Sequence, residues 1–352
     1  MRLLKNPWRE SGFPDVFPPE TPFPSIDAAR VASLLRQCPA HAETPLRNAR
    51  DLAAHLGIAE LRVKDERDRM GLGSFKALGA AYVIASEAAE RGNPGPESLT
   101  DMTYVTASAG NHGLSVAAGA RIFGAKAKVF IAQTVPQSFA ERLAAKGADV
   151  VREGADYEAS MKAAARAADD NGWQLLSDSS WPGYMDRPWR LMEGYLQLAA
   201  EAADQMGQAP THIFLQAGVG GLAGAVAAYA RHIWGDAPII IVVEPEEAPA
   251  LYESIEAGKP VVAEGGVSCM GRLDCKEPSL IALKGLARDA DVFMTLSEGT
   301  AEAAIPPLVA AGLATTPSGG AGLAALLALG GKAEGAGLNA NSRVLTILSE
   351  EA

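Results

Sequence analysis

The chain has 352 residues, 48% hydrophobic and 21% charged, enough to bury the core of two domains or of one large α/β unit. Its formal net charge of −11 and its dispersed lysines and arginines argue against non-specific nucleic-acid binding. Cys38, Cys269 and Cys275 form an odd set without metal-ligand spacing, so neither a disulfide framework nor a metal site is expected.

The opening MRLLKNPWRESGF holds no apolar run of signal-peptide or membrane-span length, so a cytoplasmic setting is expected. Residues 1–25, rich in proline and aromatics, predict an extended arm over a surface. Short helices are expected over Ile26–Leu35 and Asn48–Leu56, then a strand in LRVKDE. Helical spacing follows over Ala77–Ala89, a strand over Tyr104–Ala107 and a helix over His112–Phe123. AKVFIA (Ala127–Ala132) is a continuous apolar run, as a strand buried on both faces would be. Ser138–Lys146 and Tyr157–Asn171 read as helices around the strand DVVRE. WQLLSD, a long helix Leu191–Met206, HIFLQAG, a helix Leu222–Ile233 and IIIVVEP continue the cadence as far as RVLTILSEEA. Strand and helix in alternation predict an α/β fold with doubly wound, mostly parallel sheets and helices on both faces.

In such sheets ligands bind beyond the carboxyl ends of strands, where turns lead into helices. Four glycine turns occupy such positions. In TASAGNHG, Gly110 and Gly113 frame a helix start with Asn111 as a cap and His112 beside it. In LQAGVGGLAGA, Gly218, Val219, Gly220, Gly221 and Leu222 put side-chain-free backbone at a helix N-terminus, where amide donors and the helix dipole suit one phosphate. That turn lacks the Lys-Ser/Thr ending of a P-loop and the full dinucleotide fingerprint, so a monophosphate fits better than a nucleotide. TTPSGGAG, with Ser318, opens another Ala/Leu-rich helix.

The remaining turn, GLGSFKALGA, sets Lys76 in the first turn of an apolar helix, behind Ser74 and Phe75. Apolar neighbours and the positive helix end disfavour the ammonium form, and a neutral amine is what Schiff-base chemistry with a carbonyl requires. Alone, Lys76 reads as a snorkelling side chain. Beside a monophosphate cradle, it predicts a phosphorylated aldehyde cofactor, pyridoxal 5′-phosphate.

SFKALGA, SAGNHG, AGVGGLAGA and TPSGGAG, in this order, resemble the fold-type-II pyridoxal-phosphate enzymes of the tryptophan synthase β superfamily. VKDERDRMGLGSFKALGAAY, DSSWPGYMDRPWRLMEGY and CMGRLDCKEPS bring the resemblance closer to the diaminopropionate ammonia-lyases. The resemblance implies that Lys76 carries the cofactor as a Schiff base, flanked by Phe75. It implies that Asn111 bonds the cofactor's 3′ oxygen, Gly218 to Leu222 hold its phosphate and Ser318 faces its ring nitrogen. Two catalytic aspartates are implied, one per substrate enantiomer. Asp178 matches one; Ala109 stands where the other belongs, so specificity for the L form is expected.

The expected reaction is α,β-elimination from a small β-substituted amino acid of the 2,3-diaminopropionate kind, giving a 2-oxo acid and ammonia. Ser108, Ala109, Gly110 and His112 would seat the substrate carboxylate. A serine/threonine or 3-hydroxy amino acid dehydratase on the same scaffold is the rival, kept open by Ala109. A small domain of residues 79–174 is expected to close over a large cofactor-binding domain of residues 1–78 and 175–352. A homodimer is expected from the arm and the resemblance.

Overall fold

A computed structural model describes residues 1–92, 94–331 and 333–352. Its strands, in chain order, are β1 Leu3–Lys5, β2 Leu46–Asn48, β3 Glu60–Asp65, β4 Thr103–Ala107, β5 Lys126–Ile131, β6 Ala148–Arg152, β7 Gln174–Leu175, β8 His212–Gln216, β9 Ile239–Pro245, β10 Val292–Leu296 and β11 Arg343–Leu348. They form a seven-stranded sheet of order β1-β10-β9-β8-β11-β3-β2 and a four-stranded sheet of order β6-β5-β4-β7. The smaller sheet is all parallel, and the larger is parallel except for its two edge strands.

The apolar runs have a simple origin. Ile213, Leu215, Ile240, Val242, Phe293, Leu345 and Ile347 face one core, shared with helices Leu196–Met206, Gly221–Trp234 and Leu280–Asp289. Phe214, Ile241, Val243, Met294, Val344 and Leu348 face the other, under helices Arg50–Leu56, Glu298–Ala310 and Ala321–Leu329. Successive residues point to opposite faces and both faces are covered, so alternation disappears from the sequence.

Two expectations need correction. The N-terminal arm begins as β1, paired antiparallel to β10, before the proline-rich stretch takes over. Asn6 Nδ2 donates to the carbonyls of Ala290 (2.7 Å) and Ala287 (2.8 Å), and Trp8 Nε1 donates to Ile255 O (2.9 Å), so hydrogen bonds hold the arm down. The single helix Leu191–Met206 is two helices, Asp186–Gly194 and Leu196–Met206, joined at the buried Tyr195. A Cβ at Gly194 would lie 2.5 Å from Leu78 O, so the break sits where two backbones approach closely.

After β3 a 3₁₀ turn, Arg69–Gly71, carries the chain toward Lys76 through left-handed backbone at Met70 (φ 52), Gly71 (φ 65) and Gly73 (φ 78). A buried charge cluster fixes it. Arg69 donates to both oxygens of Glu66 (2.7 Å each) and to Glu201 (2.6 and 2.9 Å). Lys64 Nζ reaches Glu201 Oε2 and Thr44 O, each at 2.6 Å. Lys64, Glu66 and Arg69 are wholly buried. Burial would raise the Glu201 carboxyl, but Arg69 and Lys64 override it and bring it down to about 2. Two cations and two carboxylates thus balance in a space that tolerates no unpaired charge. Glu201→Gln is therefore expected to lower the unfolding free energy by about 3–5 kcal/mol, read from urea denaturation.

Candidate active site

Two of the glycine turns are stitched together by backbone at the end of β11, and a third is tied there by a side chain. Ser74 forms an antiparallel bridge with Glu350, Phe75 N–H donates to Ser349 O (3.0 Å) and Glu351 N–H donates to Gly73 O (2.9 Å). Ser349 N–H in turn donates to Gly319 O (3.1 Å), which ties in the Ser318 turn. Asn111 Nδ2 donates to Glu350 Oε2 (2.5 Å) and brings the turn after β4 to the same point. The turn after β8 joins through the loop 268–277: Arg272 N–H donates to Ser318 Oγ (3.1 Å), and a Cβ at Gly218 would lie 3.0 Å from Cys275 Sγ. All four turns predicted from the sequence therefore line one site.

Lys76 is the first residue of helix Lys76–Glu90, and its ammonium is ion-paired with the Asp178 carboxylate. Each side chain keeps about one-fifth of its surface exposed (21% and 19%). Burial alone would lower the amine, but the Asp178 charge outweighs it and holds Lys76 well above the usual range. Burial would raise Asp178, and Lys76 instead holds it well below the usual carboxylate range. This corrects the expectation of a neutral amine: the helix end and apolar neighbours are overruled by a carboxylate distant in the chain. Asp178 does not cap the serines after it, because Ser179 N–H turns to Ser177 Oγ (3.3 Å).

Around the pair stand Phe75, Tyr195 and Cys275. Phe75 and Tyr195 rings lie 4.9 Å apart, tilted by 58°, and Lys76 Nζ is 5.3 Å from the Phe75 centroid. The Tyr195 hydroxyl is buried without a hydrogen-bond partner among the described residues, and burial pushes it up to about 12. A Cβ at Gly79 would sit 2.8 Å from Tyr195 Cε1, and one at Gly221 would sit 3.5 Å from Cε2, so the ring spans from the lysine helix to the glycine cradle. Burial, then Asp178, push the Cys275 thiol up to about 12, so it is a neutral wall. In the cradle Gly220 (φ 97) caps helix Gly221–Trp234, leaving the amides of Gly221 and Leu222 in a first turn that has no intrahelical acceptors. An amine, an orphaned hydroxyl and a helix N-terminus without side chains together fit a phosphorylated aldehyde.

In the turn after β4, Gly110 N–H donates to Ser108 Oγ (3.3 Å), and a Cβ at Gly113 would lie 2.2 Å from Ser108 O. Ala109 packs toward Leu114 and Val129. His112 is turned inward: its ring Nε2 meets Leu176 O at 2.8 Å, and burial lowers its basicity, so it anchors the turn as a neutral donor. Ser318 is buried with its Oγ accepting from Arg272.

Glu350, Thr316, Tyr195, Arg272 and Cys275 were not among the sequence-derived site residues. Thr316 Oγ1 bonds Glu350 Oε1, so that carboxylate is held from two sides. Glu350 could have been found, because it follows the carboxyl end of a parallel strand. Tyr195 and Arg272 lie within the stretches DSSWPGYMDRPWRLMEGY and CMGRLDCKEPS, but nothing in those stretches singles out a role for either, and only folding brings them to the site.

Removing Asp178 tests the electrostatics without any ligand. In the wild type the depressed carboxyl and raised amine lose their contribution only below about pH 4 or above about pH 10. Asp178→Asn leaves the amine with burial and the helix end alone, which lower it. The cofactor-free variant should therefore gain stability relative to the wild type from pH 7 to 9; urea midpoints of both proteins at the two pH values measure this.

Residues 38–350 match the family model for the pyridoxal-phosphate dependent enzymes. The chain is 34% identical over 290 residues to diaminopropionate ammonia-lyase of Salmonella typhimurium, covering 76% of this chain and 72% of that protein. It is 29% identical over 292 residues to human L-serine dehydratase/L-threonine deaminase, covering 82% and 83%. The crystal structure of Escherichia coli diaminopropionate ammonia-lyase, in complex with an aminoacrylate–PLP azomethine reaction intermediate, superposes with a TM-score of 0.86 at 29% identity, covering 99% of this chain and 93% of that one. With this match over most of its length, the chain belongs to the pyridoxal-phosphate dependent enzyme family.

Proposed function

We propose that the chain is a pyridoxal-phosphate dependent ammonia-lyase acting by α,β-elimination on a small β-substituted L-amino acid of the 2,3-diaminopropionate kind. The observation that carries this reading is the Lys76–Asp178 pair at the junction of the four turns. Lys76 would hold the cofactor through its amine, Phe75 and Asn111 would flank it, Gly218 to Leu222 would bind its phosphate and Ser318 would face its ring nitrogen. When bound, the cofactor supplies the carbonyl that captures the substrate amine and the ring that takes up the electrons of the Cα–H bond.

The chain's own residues decide which proton moves. Nζ of Lys76 touches the Asp178 carboxylate, so a proton can pass between them without solvent. Holding the cofactor would engage the Lys76 amine; once the substrate amine takes its place, the freed Lys76 amine or the Asp178 carboxylate beside it would accept the Cα proton. Ser108 to His112 would seat the substrate carboxylate at a helix N-terminus, with His112 fixing the turn. Ala109 offers no acid, which leaves one face of Cα with a proton acceptor and one without. The same alanine favours a second reading, dehydration of a 3-hydroxy amino acid. Closure of a small domain of residues 79–174 would exclude water, and a cytoplasmic homodimer is the proposed working form.

Four outcomes follow. Purified enzyme should be yellow, and Lys76→Ala should abolish the visible absorption band. Asp178→Asn should lower kcat on the L substrate by about 10²–10⁴-fold with little change in KM. Steady-state assay of L-2,3-diaminopropionate against L-serine, L-threonine and 3-hydroxyaspartate selects the leaving group; turnover of the hydroxy acids alone overturns the ammonia-releasing reading in favour of dehydration. Ala109→Asp should add turnover of the D form, measured with the separate enantiomers.

A further inference from the structure

Arg272 has no role in the mechanism above, yet its guanidinium lies across the turn proposed for the substrate carboxylate. A Cβ placed on Gly110 would be 3.0 Å from Arg272 Nη1 and 3.2 Å from Cζ, so the group rests against side-chain-free backbone. The loop behind it is well anchored. Arg272 N–H bonds Ser318 Oγ (3.1 Å), Ser268 N–H bonds Asp274 Oδ2 (3.1 Å), and Lys276 Nζ ties Asp274 Oδ1 (2.6 Å) to Glu247 O (2.7 Å).

The guanidinium keeps its donors open to solvent. Its nearest anion is Glu350, with Nε 3.5 Å from Oε2, an ion-pair distance already shared with Asn111 and Thr316. Among the described residues it donates no hydrogen bond, although 42% of the side chain is exposed. Arg69, by contrast, spends its donors on Glu66, Glu201, Thr44 and Ala42 O. A planar fork of free N–H donors, set beside a helix N-terminus on a rigid loop, matches a carboxylate by charge and by geometry.

We propose that Arg272 clamps the α-carboxylate of the substrate against the Ser108–His112 turn. The inference rests on the reading of the site as an amino-acid site but not on which β-substituent leaves. It makes Arg272 a residue that selects amino acids over simple amines.

The test uses holoenzyme and three ligands that have no leaving group, L-alanine, ethylamine and L-aspartate. L-Alanine carries the carboxylate; ethylamine lacks it; each shifts the cofactor's visible absorption through its amine, and titration gives a Kd. Arg272→Gln should raise the Kd of L-alanine by about 10- to 100-fold and leave that of ethylamine unchanged, with Arg272→Lys between. An unchanged Kd for L-alanine, or equal weakening of both ligands, overturns the proposal. A loss confined to L-aspartate also overturns it, because Arg272 would then read a second carboxylate. An unaltered resting spectrum shows the variant folded with cofactor in place. If L-alanine binds as expected but diaminopropionate is not turned over, the substrate reading fails while this one stands.

Discussion

Backbone pairing between the lysine turn and the end of β11 is the constraint on which the site depends. Glycine at 73 suits this position through its backbone, whose φ of 78 lies in the left-handed region. The bridge from Ser74 to Glu350 lets the same short segment present Lys76 on one side and the Glu350 carboxylate on the other. Asn111 and Thr316 then attach to that carboxylate, so turns from both sheets are referenced to one strand end. The buried cluster of Lys64, Glu66, Arg69 and Glu201 holds the opposite end of the lysine turn.

Charge in the site follows from these placements. Lys76 with Asp178, and Arg272 with Glu350, make two cation–carboxylate pairs of different character. The first is tight and shifts both partners strongly; the second is long and leaves donors free. A site that takes in a zwitterion needs this inequality, because a cation fully matched inside the protein has nothing to offer a ligand. Tyr195 adds a neutral donor between the two helices that frame the cradle.

Much of this was legible in the sequence, and the part that was not has a physical reason. Buried parallel strands such as HIFLQ and IIIVVEP announce themselves as apolar runs, and glycine turns at their ends mark where a ligand belongs. The protonation of Lys76 was not legible, because local neighbours argue for a neutral amine and the deciding carboxylate is far away in the chain. The break at Tyr195 was hidden, since LMEGYLQL keeps helical spacing on both sides of a glycine needed only for packing against Leu78. Between Glu246 and Thr315 the helices Ala250–Ala257, Leu280–Asp289 and Glu298–Ala310 and strand β10 were not read from the pattern, and the loop that carries Arg272 entered only through the motif CMGRLDCKEPS. That loop has no period, and its contacts are to turns from elsewhere. β1 escaped notice because three residues at a sheet edge leave no pattern to count.

The place of β11 in the sheet bears on how the protein is made. It follows every other strand in the chain, yet it lies between β8 and β3, near the middle of the order. A ribosome releases the chain from its first residue onward, so β1 to β10 emerge while that central slot is still open. The two flanking groups of strands have no shared ladder until then, and the lysine turn has no Ser349 or Glu350 to pair with. The lysine turn thus gains its pairing partner only when β11 enters that slot, which joins the sheet and the site in one event.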